Sequence, residues 1–222
     1  MTVTLKGTVA STDLVISDAA VATNSLETIN IVSQSVPNTI ATHNFSGVSP
    51  ATLNVSGDKR LTITDALDAT VITIDASAST GGLTLTGGPG YGGATVTGSS
   101  AADIITSIGV AGNANISGGG GNDSVDFNAT FNGLDVYDGG DGTDTLKYSG
   151  ALTNEGASSS VFGGLSNVEV IAQQAGGDTL TLSSNISATS FDMSANVNGT
   201  LTLNDGYTNA TTVTLGLSLI HI

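Results

Sequence analysis

The 222-residue chain has no cysteine and no tryptophan, and only four basic residues, Lys6, Lys59, Arg60 and Lys147. Without cysteine, disulfides are not the stabiliser, which fits either redox compartment. With 19 acidic residues against those four, the net charge is −15. That balance argues against nucleic acid and anionic membrane surfaces as partners, since both are held by Lys/Arg clusters. Aromatics make up 4% of the chain, too few for an ordinary globular core but no obstacle to a thin core of stacked Val, Ile, Leu and Ala. No apolar run approaches the roughly 18 residues of a membrane span. No basic segment leads into an apolar stretch at the start, so no signal peptide is expected.

What the chain does hold is a succession of short apolar alternations. Leu53-Asn54-Val55, Leu61-Thr62-Ile63, Leu83-Thr84-Leu85, Ala94-Thr95-Val96, Ala114-Asn115-Ile116 and Leu146-Lys147-Tyr148 are typical. Each has period 2, and Gly, Asp, Asn or Ser usually follows, so these are short strands and not helices. Such spacing fits a sandwich, a barrel or a solenoid.

Two nine-residue segments choose among the three. Gly118-Gly119-Gly120-Gly121-Asn122-Asp123-Ser124-Val125-Asp126 and Gly139-Gly140-Asp141-Gly142-Thr143-Asp144-Thr145-Leu146-Lys147 both fit G-G-x-G-x-D-x-U-x, where U is a large apolar residue. This is the Ca²⁺-binding nonapeptide of parallel β-helices. Six residues turn and three form a strand. Coils stack about 4.8 Å apart, so Asp123 and Asp144 share one edge. Two bare carboxylates roughly 5 Å apart repel by about 3 kcal/mol at an effective dielectric near 20. A Ca²⁺ between the turns reverses that sign and couples metal binding to folding. The bland reading is a pair of Asp-Gly surface turns without metal.

Two further segments are degenerate copies. Gly98-Ser99-Ser100-Ala101-Ala102-Asp103-Ile104-Ile105-Thr106 lies one coil ahead of the first full repeat and offers Asp103 to the same edge. Gly87-Gly88-Pro89-Gly90-Tyr91-Gly92-Gly93-Ala94-Thr95 keeps glycines but has Gly92 where the Asp would stand, so a turn without a metal carboxylate is expected. Two such strands, each with its turn, make one coil. The expected fold is all-β, a right-handed parallel β-solenoid continuous over residues 1–216, with the Ca²⁺ turns at about 87–147 and Thr-rich coils on either side. Glu27 and Glu169 each sit in an otherwise apolar or Thr-rich strand. A solvated outer-face role is expected for both, against a ligand or an inter-coil cap.

The two nonapeptides, with Leu26-Glu27-Thr28-Ile29-Asn30-Ile31, Asn167-Val168-Glu169-Val170-Ile171 and the stretch from Thr70 to Leu85, make the chain resemble bacterial RTX-type S-layer proteins and related surface adhesins. The resemblance covers most of residues 23–216. It implies a Ca²⁺-dependent lattice on an extracellular bacterial surface, self-association, type I secretion, and contact with cell-surface polysaccharide through regions outside this chain. It marks Gly118, Gly119, Gly120, Gly121 and Asp123, and Gly139, Gly140, Asp141, Gly142 and Asp144, as Ca²⁺-site residues, with Asp103 added from the degenerate coil. Each Asp would bridge two ions, with carbonyls from Gly118, Gly120, Gly139 and Asp141 completing the shell. The Asp141 side chain either adds a ligand or faces solvent, and solvent is expected. A segment of a large adhesin is the alternative.

Type I secretion reads a C-terminal signal that this chain does not show. Leu217-Ser218-Leu219-Ile220-His221-Ile222 differs in character from what precedes it and resembles a translated sequencing adapter, so a non-native tail is expected there.

An enzyme is not expected. His43 stands alone, and neither H-E-x-x-H nor G-x-S-x-G occurs. A polyuronate lyase would need basic residues that a −15 chain lacks. Nineteen carboxylates make chance Asp/Glu pairs easy, so a glycosidase pair stays open on sequence alone.

Overall fold

A computed structural model describes residues 1–7, 12–15, 26–44, 50–67, 69–86, 94–106, 113–150, 152–153, 162–174, 179–182, 186, 188–195, 200–203 and 212–215. The Gly87–Gly93 part of the glycine-rich degenerate copy and the Leu217–Ile222 tail lie outside them. The structure is a parallel β-solenoid, and every strand pairing among the described residues is parallel.

One face is an eight-stranded sheet: β1 (Thr2–Leu5), β3 (Thr28–Ser33), β5 (Thr52–Gly57), β7 (Thr73–Ser79), β9 (Thr95–Thr97), β11 (Asn115–Ser117), β13 (Val136–Asp138) and β16 (Leu165–Ser166). The opposite face has ten: β2 (Thr12–Val15), β4 (Asn38–Asn44), β6 (Leu61–Ile63), β8 (Leu83–Leu85), β10 (Ile104–Thr106), β12 (Ser124–Asp126), β14 (Thr145–Tyr148), β17 (Val170–Gln173), β19 (Ser190–Met193) and β21 (Thr212–Leu215). A third, separate sheet consists of β15 (Leu152–Thr153), β18 (Thr179–Leu182) and β20 (Thr200–Leu203), and its first strand precedes β16 in the chain.

Alternation decides which side chains enter. In β3, Ile29, Ile31 and Ser33 point inward, and in β5, Leu53 and Val55 do. Parallel register then stacks like on like: Ile29 on Leu53 and Leu53 on Ile74. Val125 lies between Ile105 and Leu146, and all three are buried. These side chains belong to one contiguous apolar column inside the solenoid.

The aromatics depart from the aliphatic-core expectation. Phe127, Phe131, Tyr148 and Phe162 pack together, with ring centroids 5.1–6.4 Å apart. They sit where the coil widens. The pairs Ile104↔Ser124 and Ser124↔Thr145 mark the compact coils in the middle, whereas Tyr137↔Leu165 encloses a longer stretch of chain. A wider cross-section needs larger side chains to stay close-packed.

Turn length divides the edge that carries the nonapeptides. Three residues join β5 to β6 (58–60) and β7 to β8 (80–82). Six residues join β9 to β10 (98–103), β11 to β12 (118–123) and β13 to β14 (139–144). The next turn, β16 to β17, returns to three (167–169).

Candidate metal centre

The three six-residue turns stack in register, and register explains the glycine pattern. Gly98, Gly118, Gly139 and Asn167 form one column, because each follows a paired strand end: Thr97↔Ser117, Ser117↔Asp138, Asp138↔Ser166. A Cβ at Gly118 would overlap Asp123 Oδ2 and the Gly139 carbonyl oxygen. A Cβ at Gly139 would overlap Asp144 Oδ2 and the Asn167 carbonyl oxygen. First-position glycines are therefore required by the space that oxygens occupy.

Positions two and four have another reason. Gly119, Gly121, Gly140 and Gly142 have φ of 96°, 100°, 92° and 148°, where side chains are strained. Position three varies because its backbone alone is used. Gly120 and Asp141 form a parallel bridge, and the Asp141 side chain is exposed. The turn over 98–103 has Ser99 and Ala101 at positions two and four, neither with positive φ, so its lost glycines match a different backbone.

The carboxylates form a ladder. Asp103 Oδ1 accepts from the Leu83 amide at 2.5 Å, Asp123 Oδ1 from the Asp103 amide at 2.7 Å, and Asp144 Oδ1 from the Asp123 amide at 2.7 Å. Glu169 Oε2 continues it, accepting from the Asp144 amide at 2.8 Å. Asp123 and Asp144 are 2% and 0% exposed. Their second oxygens, Oδ2 in both, are buried with no hydrogen-bond partner among the described residues. Asp103 shares the column but has both oxygens bonded. Its Oδ2 accepts from the Ser99 amide at 2.6 Å, and its Oδ1 also from the Ser99 hydroxyl at 2.9 Å.

Electrostatics follow from burial. Desolvation pushes Asp123 up to about 7 from its ordinary 3.8. The Asp103 amide opposes this, while the charges of Asp103 and Asp144 add to it. Asp144 is raised by burial and by the charges of Glu169, Asp138 and Asp141, against the Asp123 amide. Asp103 is raised by burial, but the Ser99 and Leu83 amides, the Ser99 hydroxyl and Arg60 pull it down.

Arg60 closes the first end of the ladder. Its Nη2 donates to the Ala102 carbonyl at 2.6 Å and its Nη1 to Thr84 Oγ1 at 2.9 Å. The guanidinium fits because Gly82 leaves room; a Cβ there would crowd Nη2 and the Ala102 oxygen.

These residues fit a hard divalent cation. Among the described residues no three His, Cys, Asp or Glu side chains converge on a point as a metal cluster. A nonapeptide site does not need one, since backbone carbonyls supply most of its oxygens. The unpartnered Asp123 Oδ2 beside the Gly139 carbonyl, and Asp144 Oδ2 beside the Asn167 carbonyl, are donors of the kind such an ion takes.

Several residues read differently from their sequence signal. Glu169 caps the preceding coil, accepting from the Asp144 amide, instead of facing solvent freely, whereas Glu27 is exposed as expected. Asp126 is buried, accepting from the Asn128 amide and Gln174 Nε2, both at 2.9 Å. Asp135 bridges coils on the other side of the solenoid, accepting from the Ala114 and Asn132 amides at 2.9 and 2.8 Å. His43 does not stand alone; its Nδ1 lies 3.5 Å from Asp65 Oδ2. Of these, Glu169 stands out in the sequence as a strand carboxylate, but its capping role depends on a partner 25 residues away that only coil stacking brings near.

No protein family, curated protein or solved structure matches the chain. Among the described residues no helix is long and apolar enough to cross a membrane.

Proposed function

We propose that the chain is a Ca²⁺-binding structural segment of an extracellular bacterial surface protein, in an S-layer lattice exported by type I secretion. The observation that carries the Ca²⁺ reading is the pair of buried, unpartnered oxygens, Asp123 Oδ2 and Asp144 Oδ2, each set against a carbonyl of the following coil. A bound Ca²⁺ would supply the positive charge that these carboxylates lack. Asp123, Asp144 and the carbonyls of Gly118, Gly120, Gly139 and Asp141 would hold it. The S-layer assignment rests on the resemblance of the repeats and flanking strands, and it makes the role structural, with the chain associating with copies of itself and not acting as an enzyme.

The adhesin alternative has one observation of its own. A groove of about 350 Å³ lies outside the first sheet, lined by Asn30, Asn54, Val55, Ser56, Asp75, Ser77 and Ala78. Its largely neutral polar wall, with Asn54 Nδ2 donating to Asn30 Oδ1 at 2.8 Å, suits a hydroxyl-rich surface polysaccharide.

Surface Ca²⁺ modules often have Kd values of about 10⁻⁴–10⁻³ M. At millimolar Ca²⁺ one such site adds only about 0.5–1.5 kcal/mol, so stacked sites must act together. Circular dichroism of the chelated chain is expected to gain strand signal with Ca²⁺ but not Mg²⁺, which demands a tighter octahedron. Light scattering should show Ca²⁺-dependent assembly that chelator reverses. No Ca²⁺ response would leave the nonapeptides as plain turns. A Ca²⁺ response without assembly would favour the adhesin.

A further inference from the structure

We propose that a further cation position lies one coil beyond the nonapeptides, where Asp144 Oδ2 and the Asn167 carbonyl hold a hard divalent cation and Glu169 supplies the second carboxylate charge. The proposal rests on the reading of the nonapeptides as Ca²⁺ turns.

Neither Asn167 nor Glu169 belongs to a nonapeptide. The coil they start has no G-G-x-G run at this edge, and its turn has three residues where the repeats have six. Yet register sets Asn167 directly after Gly139 and Glu169 directly after Asp144. Asn167 takes the left-handed conformation, φ 50°, that Asn tolerates better than most side chains. Its Nδ2 donates to Asp138 Oδ1 at 2.7 Å, which fixes the turn. Its carbonyl oxygen then stands against Gly139 and Asp144 Oδ2, as the Gly139 carbonyl stands against Gly118 and Asp123 Oδ2. Glutamate is one methylene longer than aspartate, and from the shorter turn it reaches the Asp144 amide at 2.8 Å.

Asp144 Oδ2 is the observation that points to a ligand. The residue is 0% exposed, and this oxygen has no hydrogen-bond partner among the described residues. The two ends of the ladder also differ in charge. At the first end Arg60 provides a guanidinium and Asp103 has both oxygens bonded. At the second end the neighbouring carboxylates are Glu169, which accepts from the Asp144 amide, and Asp138, which accepts from Asn167 Nδ2. A cation there would do for Asp144 what Arg60 does for Asp103. A carbonyl-rich site of this kind suits Ca²⁺ better than Mg²⁺.

The test is Ca²⁺ stoichiometry by equilibrium dialysis on the full chain, with folding followed by circular dichroism. Glu169→Gln keeps an acceptor for the Asp144 amide and removes the charge. It is expected to weaken one ion by roughly 10- to 100-fold, the usual effect of a supporting carboxylate, while the remaining ions bind as in the unsubstituted chain. Unchanged affinity and stoichiometry would overturn this position and leave the nonapeptide reading intact. No Ca²⁺ bound by the unsubstituted chain would overturn both. Anomalous scattering from Ca²⁺-grown crystals of the unsubstituted chain needs no variant. A peak between Asp144 Oδ2 and the Asn167 carbonyl is expected, and peaks confined to the Asp123–Gly139 side would refute the proposal.

Discussion

At the scale of single residues, the acidic column can be neutralised by a proton or by the proposed Ca²⁺, and the two respond oppositely to pH. Without metal, the native chain binds Asp123's proton up to about pH 7, whereas the unfolded chain releases it near 3.8. The native state therefore holds the extra proton between those values, and stability falls as pH rises through that window. The slope is at most about 1.4 kcal/mol per pH unit for one such group. The contribution is complete below about pH 4 and gone above about pH 7. Chelated protein is accordingly expected to melt higher at pH 5 than at pH 7.5, and Asp123→Asn should shrink the difference. A melting temperature that climbs over this range would contradict the burial argument. Ca²⁺ needs the ionised form, so its affinity should rise with pH over the same window and its binding should release protons. Asp126 provides the contrast. Its carboxylate is spent on Asn128 and Gln174, so Asp126→Asn should cost about 1 kcal/mol of stability yet leave Ca²⁺ affinity unchanged.

At the scale of elements, the turns are where sequence and structure agree most closely, and a pair of substitutions separates the reasons. Gly121 has φ 100°, and a Cβ there would collide with the backbone of Ala101 and Ala102. Gly121→Ala should destabilise by at least about 1–3 kcal/mol in a chemical melt. Gly120 has ordinary φ, and the nearest atom to an added Cβ is the Ser100 oxygen at 3.6 Å. Gly120→Ala should be neutral or stabilising by about 0.4–1 kcal/mol. Equal losses would mean that the third position is not variable after all. The pattern was legible because it is local: steric demand and backbone sign recur in the same order from Gly118 to Gly121 and from Gly139 to Gly142. The strands were legible where two inward residues are large and aliphatic, as in β5 and β8. They were missed where pairing with neighbours, and not composition, makes the strand. Asn38–Asn44 of β4 is mostly polar, with Ile40 its one large buried aliphatic, and it is ordered by its ladders to β2 and β6. Leu165–Ser166 of β16 is too short to show a period. Glu169 and Arg60 were unreadable as caps for a related reason. Each acts on a residue 25 or 42 positions away, a distance that only coil stacking turns into contact.

At the scale of the whole molecule, each coil touches chiefly its neighbours, so stability is close to a sum of coil and interface contributions and need not be lost everywhere at once. The coils from β3 to β8 enclose Ile29, Ile31, Ile40, Leu53, Val55, Leu61, Ile63 and Ile74, all buried. They turn through short connections on the nonapeptide edge, and Arg60 balances the carboxylate they meet, Asp103. The coils from β11 to β14 have shorter strands, and their six-residue turns are rich in glycine, which loses most backbone entropy on ordering. They also carry the two carboxylates with unpartnered oxygens. On the proposed Ca²⁺ reading, removing the ion would therefore act on one stretch of the column. In hydrogen exchange, chelation at pH 7.5 is expected to strip protection from the Ser124 and Thr145 amides, which donate to the Asp103 and Asp123 carbonyls. The amides of β5 and β7 should keep theirs, because nothing in their coils depends on the ion. Loss should spread toward β17 rather than toward β7, since Glu169 joins the next coil to Asp144 through a bond made on the acidic side. Simultaneous loss from β5 through β17 would show that the aliphatic coils cannot stand without the metal turns, and the division of the solenoid at Arg60 would fall.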